Sequence, residues 1–228
     1  FNVPAIDGTV KAERISAGGV DITSINANAS TSNNVTQFAA DTVLANGARG
    51  NARGSLAAQD DGWRLALDAA SFGQDQIAAR LARPAAIRVA GDRVAIDTFE
   101  IDVAGGRVTV QGDASEALDL NVVVSRLPLS IANLVRADLG LGGTLEGEAR
   151  VRGSRSEPQA TFSMRGSALQ ASGLEAAGIS TMDAALSGSF ANQTVTLTSA
   201  SANSPQGLTL TASGAIPLSG NGLSVNLN

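Results

Sequence analysis

The chain has 228 residues, 16 Lys and Arg against 21 Asp and Glu, a formal net charge of −5 and neither His nor Cys. Such an acidic chain, with no basic stripe to meet phosphates, argues against a nucleic-acid binder, and the two missing residue types exclude histidine-based triads, cysteine nucleophiles and imidazole or thiolate metal sites. Aromatic residues make up only 3%, so the apolar content is mostly Ala, Val, Leu and Ile and supplies an interlocked core less well than usual.

Taken in chain order, most segments alternate apolar and polar residues with the period of two that gives a strand one dry and one wet face. The first runs are TVKA, GWRLALDA (Trp63, Leu65 and Leu67 against Arg64 and Asp68) and QIAARLA (Ile77, Ala79 and Leu81 against Arg80). AIRVAG, RVAID with Val94 and Ile96, FEIDVAG with Phe99, Ile101 and Val103, RVTVQG with Val108 and Val110, and ALDLNVVV with Leu118, Leu120, Val122 and Val124 follow. GGTLEGEARVRGS sets Leu145, Gly147, Ala149 and Val151 against Glu146, Glu148, Arg150 and Arg152. QATFSMRG (Phe162, Met164), TMDAALSGSF (Met182, Leu186), QTVTLTSA (Val195, Leu197), GLTLTASGAI (Leu208, Leu210) and GLSVNLN (Leu223, Val225, Leu227) extend the pattern. Turn signals stand between the runs, at Gly18-Gly19, Asp61-Gly62, Gly91-Asp92, Gly105-Gly106, GSRSEP, NSPQG and SGNG, and predict short hairpins.

The dry phase runs on even numbers through Val94 and Ile96 and on odd numbers from Phe99. A one-residue slip turns every side chain over, so a bulge or tight turn is predicted at Asp97-Thr98. LPLSIANLVRADLGL, with Pro128 near its start and Ile131, Leu134 and Val135 at helical spacing, predicts a helix of about two or three turns. NVTQFAADTVLAN fits a helix or strands equally, because its helical spacing is carried by β-branched residues. The order of strands and glycine turns from Val94 to Gly112 recurs from Val195 to Gly214, and uniform patterning predicts one continuous unit, residues 1–228.

No chemistry-bearing motif survives inspection. Asp60-Asp61 and the Glu146/Glu148 pair lack the spacing of a calcium loop, and the glutamates sit on a wet strand face beside arginines. GLGGTLEG places Leu145 where a phosphate loop needs glycine and leads into a strand instead of a helix. Sequons at Asn28, Asn34 and Asn192 are at chance level for this composition. No cofactor and no enzymatic activity are expected. No apolar run reaches the roughly 20 residues of a spanning helix, and FNVPAIDGTV has no basic n-region followed by an apolar h-region, so no targeting signal is expected within this sequence; its start at Phe1 and its stop inside the alternating GLSVNLN predict a piece of a longer protein.

ARLARPAAIRVAGDRVAIDTFEIDVAGGRVTVQG, then LPLSIANLVRADLGLGGTLEGEARVRGSRSEPQATFSMRG, and later GLTLTASGAIPL, resemble in order the TamB family, the inner-membrane-anchored component of the bacterial translocation and assembly module. The resemblance implies an all-β fold: an elongated, predominantly antiparallel sheet folded lengthwise into a U (a β-taco) with an apolar groove and at most one or two short helices. It also implies a periplasmic location in a Gram-negative cell and a protein that conducts phospholipids between inner and outer membranes and supports barrel-protein and autotransporter assembly. A TamA-like outer-membrane barrel would be met, and the inner membrane gripped, through the full-length protein. The groove-lining residues expected on this reading are Val94, Ile96, Val108, Val110, Leu145, Val151, Phe162, Met164, Met182, Leu186, Val195, Leu197, Leu208 and Leu210, and phospholipid acyl chains are the expected partner. Three other readings compete: a scaffold whose sheet edges template strands of barrel proteins, a secreted β-helical passenger, and, for the lining, an ordinary β-sandwich.

Overall fold

The computed structural model describes residues 7–17, 20–59, 61–74, 77–134, 137–176, 178–218 and 224–227. The turns predicted at Gly18-Gly19 and in SGNG, and the residues Asp60, Val135 and Leu223, lie outside them. The chain is all-β. Its strands are β1 (Gly8–Ala17), β2 (Val20–Ser32), β3 (Val35–Leu44), β4 (Arg49–Gln59), β5 (Gly62–Gln74), β6 (Ile77–Leu81), β7 (Ala85–Ala90) and β8 (Arg93–Val103). They continue as β9 (Gly106–Ala114), β10 (Ala117–Pro128), β11 (Gly142–Ser154), β12 (Pro158–Gln170), β13 (Met182–Ala191), β14 (Thr194–Asn203), β15 (Thr209–Pro217) and β16 (Ser224–Leu227).

All sixteen belong to one sheet in which strands follow one another in chain order, with β7 continuing the line of β6 between β5 and β8. Every pairing is antiparallel. This meander is neither the parallel coil stack of a β-helix nor the two packed sheets of a sandwich. The undecided NVTQFAADTVLAN is a strand, β3, hydrogen-bonded on both sides. The helix predicted in LPLSIANLVRADLGL forms as 3₁₀ turns over Leu129–Leu134 and Ala137–Leu139. One five-residue helix, α1, spans Ser172–Ala176.

The hairpins explain the asparagines. Asn33-Asn34 and Asn192-Gln193 both take positive φ at two successive residues, the conformation of the two-residue turn whose twist matches flanking strands and which asparagine tolerates. Two of the three sequons are thus turn asparagines followed by strand residues. At the predicted Gly105-Gly106 turn, the tip is Ala104-Gly105, with φ of 42° and 90°, and Gly106 already pairs with Val103. Only Gly106 allows the close approach needed there, since a Cβ would stand 2.2 Å from the Arg126 carbonyl oxygen.

The slip at Asp97-Thr98 is a bulge inside a single strand: Ile96 faces Gly112 and Phe99 faces Val110, so two residues of β8 oppose one of β9. The same arrangement recurs at Thr23-Ser24 in β2, Asp68-Ala69 in β5, Ser125-Arg126 in β10, Ser167-Ala168 in β12 and Thr198-Ser199 in β14. In each case the two residues of the bulge, one of them extra, stand on the wet side between two residues of the dry side. At β12 the backbone N–H of Ala168 is taken up by the Asp183 carboxylate at 2.8 Å. A bulge bends its strand and sharpens its twist, and with the insertion always on the polar side, the dry face becomes the shorter, inner one.

A second measure of curvature comes from Leu129–Leu134. Leaving β10, this segment packs on β5, β6 and β11, and its last carbonyl, of Leu134, accepts a hydrogen bond from the Asn46 side chain in the β3–β4 turn. Six residues of 3₁₀ helix rise about 12 Å, whereas β10 and β4 in a flat sheet would lie about 24 Å apart. The sheet is therefore curled. Few residues are truly inside it: the buried apolar residues are Leu44, Ala48, Ala85, Ala86, Val103, Val124 and Leu134, and no large side chain among the described residues is fully buried. The chain, of 22.9 kDa, exposes 13456 Å², against roughly 9,600 Å² for a compact monomer of that mass.

Candidate functional site: the apolar face

The strand registers align the dry side chains into rows that run across the strands. One row passes from Ile101 through Val108, Val124, Gly147, Met164, Leu186 and Ala200 to Ala212. Its neighbour runs Phe99, Val110, Val122, Ala149, Phe162, Gly188, Leu197, Gly214. A third runs Ile96, Gly112, Leu120, Val151, Ala160, Phe190, Val195, Ile216. No charged residue interrupts any of the three. Because cross-strand partners touch, each row is a continuous apolar track.

Thirteen of the fourteen expected lining residues lie on strands and share this face; Leu208 lies in the β14–β15 turn, where its carbonyl accepts from the Ser204 N–H at 2.9 Å. Leu210 stands 38% exposed near the strand ends. The expected lining left out the face's first half, where Ile25, Phe38, Leu56, Leu65 and Ile87 carry it among alanines. It also left out Val103, 4% exposed, and Val124, 8% exposed, although both belong to the alternating runs of the sequence.

Glycines set the texture of the track. A Cβ on Gly188 would come within 2.9 Å of the Phe162 ring and 2.2 Å of the Thr196 carbonyl oxygen, and one on Gly147 within 2.7 Å of the Met164 sulfur. Large side chains thus lie flat over glycine neighbours and the lining stays shallow. Gly188→Val is expected to cost about 1–3 kcal/mol of stability by overpacking, seen as a lower urea midpoint at unchanged m-value; an unshifted midpoint would show that the Thr196 backbone and the Phe162 ring both give way at no cost.

The opposite face is wet and charged. Arg150 grips Asp119 through Nε and Nη2 at 3.1 and 3.0 Å, Arg107 meets Asp102 at 2.7 Å, Arg88 meets Asp97 at 2.9 Å and Arg83 meets Glu100 at 3.3 Å. Exposed pairs of this kind stabilise little but keep the outer surface in water. This face has hollows too, as a twisted sheet must: one of about 430 Å³ lined by Ser187, Ser199 and Ser213, and one of about 700 Å³ lined by Arg64, Asp68 and Gln111. Hydroxyl and charged groups make up much of their walls, with alanines and a few larger apolar residues among them.

Two carboxylates there respond to pH. The Arg150 hydrogen bond holds Asp119 below the usual carboxylate range, and the Ser115 hydroxyl and N–H do the same for Asp113. A depressed folded pKa contributes stability above the unfolded value near 4 and loses it as pH falls through the lower folded value. The urea midpoint is expected to hold between pH 7 and 5 and to decline below pH 4; a midpoint constant to pH 2 would assign these contacts no role in stability.

Among the described residues no group of three His, Cys, Asp or Glu side chains could hold a metal ion, and no helix is long and apolar enough to cross a membrane. No protein-family model matches the chain, and comparison with curated proteins and with solved structures finds no similar one.

Proposed function

We propose that the chain is a segment of a bridge-like conduit that carries phospholipids between two membranes, its dry face forming the inner wall of a U-shaped groove. The observation that carries this reading is the set of three uninterrupted apolar rows running across eight successive strand positions without becoming a core. A surface of that extent left half-open marks a binding face. The energetics favour continuity: at about 0.8 kcal/mol per methylene, exposing a phospholipid's roughly 30 methylenes to water would cost about 24 kcal/mol. An unbroken track lets the chains slide without that exposure, and the work asks nothing of a catalytic residue.

On this reading the protein belongs with TamB-like proteins of the Gram-negative periplasm, with the anchor and the contact to an outer-membrane barrel supplied by the full-length protein. The strand-templating alternative has less in its favour at the β1 edge, where Lys11, Glu13 and Arg14 are exposed and Arg14 takes a φ of 55°. Charge and irregularity of this kind discourage edge pairing. The test is extraction: the purified chain is mixed with phosphatidylglycerol–phosphatidylethanolamine vesicles carrying an acyl-labelled lipid, and the vesicles are floated away. Label staying with the soluble protein is expected; label leaving wholly with the vesicles would reject the conduit.

A further inference from the structure

We infer that the groove floor holds a discrete seat for the methyl end of one alkyl chain, between β5, β6 and β8; this rests on the conduit reading and adds a location to it. A cavity of about 150 Å³ opens on the dry face there, lined by the side chains of Ala70, Phe72, Ala79, Leu81, Phe99 and Ile101. The register shows how it arises. Phe72 stands opposite Ala79 and Leu81 opposite Ile101, so two alanines lie diagonally among four large side chains and leave a dent no neighbour fills. Toward the strand ends Ala79 pairs with Val103, which is buried, and Leu129–Leu134 packs on β5 and β6.

The chemistry of the walls selects the occupant. An open dent of this size walled by Leu, Ile and Phe offers water no hydrogen-bond partners and has room for a few methylenes of an apolar chain. That is room for a chain end and not for a whole lipid. The two polar residues on its rim face the other way: the Ser71 hydroxyl accepts from Asn51 at 2.7 Å and Arg80 pairs with Asp102 at 3.8 Å, both on the wet face. With no donor or acceptor pointing in, the seat reads chain and not headgroup. It also lies at the end of the row that starts at Ile101, so a chain end seated there continues directly along the track.

The test uses the full chain with dodecylphosphocholine and dodecyl maltoside, both below their micelle concentrations, and calorimetric titration. The two probes are expected to bind with affinities within about threefold of each other, and Ala79→Phe, which fills the dent, to weaken both at least tenfold, while Thr161→Phe on the exposed wet face, opposite Arg150, leaves this binding unchanged. A dodecylphosphocholine analogue with a photoreactive group at its chain end, used on the unsubstituted protein, is expected to label peptides within 70–81 and 99–101, which keeps the test independent of how Ala79→Phe folds. Binding that Ala79→Phe leaves intact, or labels placed elsewhere, would overturn the seat while leaving the conduit standing. Binding of neither probe to any form would remove both.

Discussion

Leu186→Arg is expected to yield a folded protein that has lost its lipid. Leu186 sits mid-row between Met164 and Ala200, and a guanidinium there meets the methylenes of any chain passing along the track. An unpaired charge in an apolar surround costs several kcal/mol, so retained phospholipid is expected to drop at least tenfold. Folding survives because the site is half-open and a long arginine can carry its charge out to water. Circular dichroism of the variant should match the parent, and the flotation experiment supplies the comparison. Retention of lipid at the parent level in a folded variant would take Leu186 out of the path; Leu145→Arg and Leu210→Arg repeat the test one row outward.

Deletion of Glu100 is expected to be the most damaging single change to the fold. It lies beyond the bulge in β8, where the strand alternates strictly, so residues Ile101 to Val103 either turn their apolar side chains to the wet face or slip by one residue against β6 and β9. Either outcome breaks the Arg107–Asp102 pair and exposes the buried Val103. Loss of cooperative unfolding, or of soluble expression, is the expected result. Deletion of Thr98 removes only the extra residue of the bulge: Asp97 then faces Gln111 alone while Ile96 and Phe99 keep their partners and their face, so the strand straightens without turning over and cooperative unfolding should survive. Equal behaviour of the two deletions would show that alternation along β8 does not hold register.

The contrast between the two changes also marks what a reader of the sequence can see. The bulge at Asp97-Thr98 is legible because Val94 and Ile96 on one side and Phe99, Ile101 and Val103 on the other declare their phases with large side chains. The equivalent bulges at Ser167-Ala168 and Thr198-Ser199 are hidden, since Ala200 and Ala202 beyond the second declare no face. The same weakness conceals the first part of the lining, where Ala27, Ala40, Ala52 and Ala70 stand in one row and only the registers reveal it. β3 stayed ambiguous for a different reason: Val35, Phe38, Ala39, Thr42 and Val43 stand at helical spacing while the β-branched residues among them suit a strand, and pairing with β2 and β4 decides the matter from outside the segment.

Tertiary contacts also decide the segment after β10. Its spacing of Ile131 and Leu134 suits a helix, but Asn133 donates to the Leu141 carbonyl at 2.8 Å and accepts from its N–H at 2.9 Å, which folds the connection back after about two 3₁₀ turns. The alkyl seat could not be read from sequence at all, because Ala70, Ala79 and Phe99 become neighbours only through three strands whose order is set elsewhere. Face, period and most of the lining are local properties. Curl and cavity are not.

Native mass spectrometry of the chain purified without detergent, beside a mock preparation and Leu186→Arg, shows most directly whether the groove carries lipid. Phospholipid bound in stoichiometric amounts to the parent, and lost from the arginine variant at unchanged fold, is the result predicted for a lipid-carrying groove. A folded parent that flies free of lipid, with the same mass distribution as the variant, would contradict it.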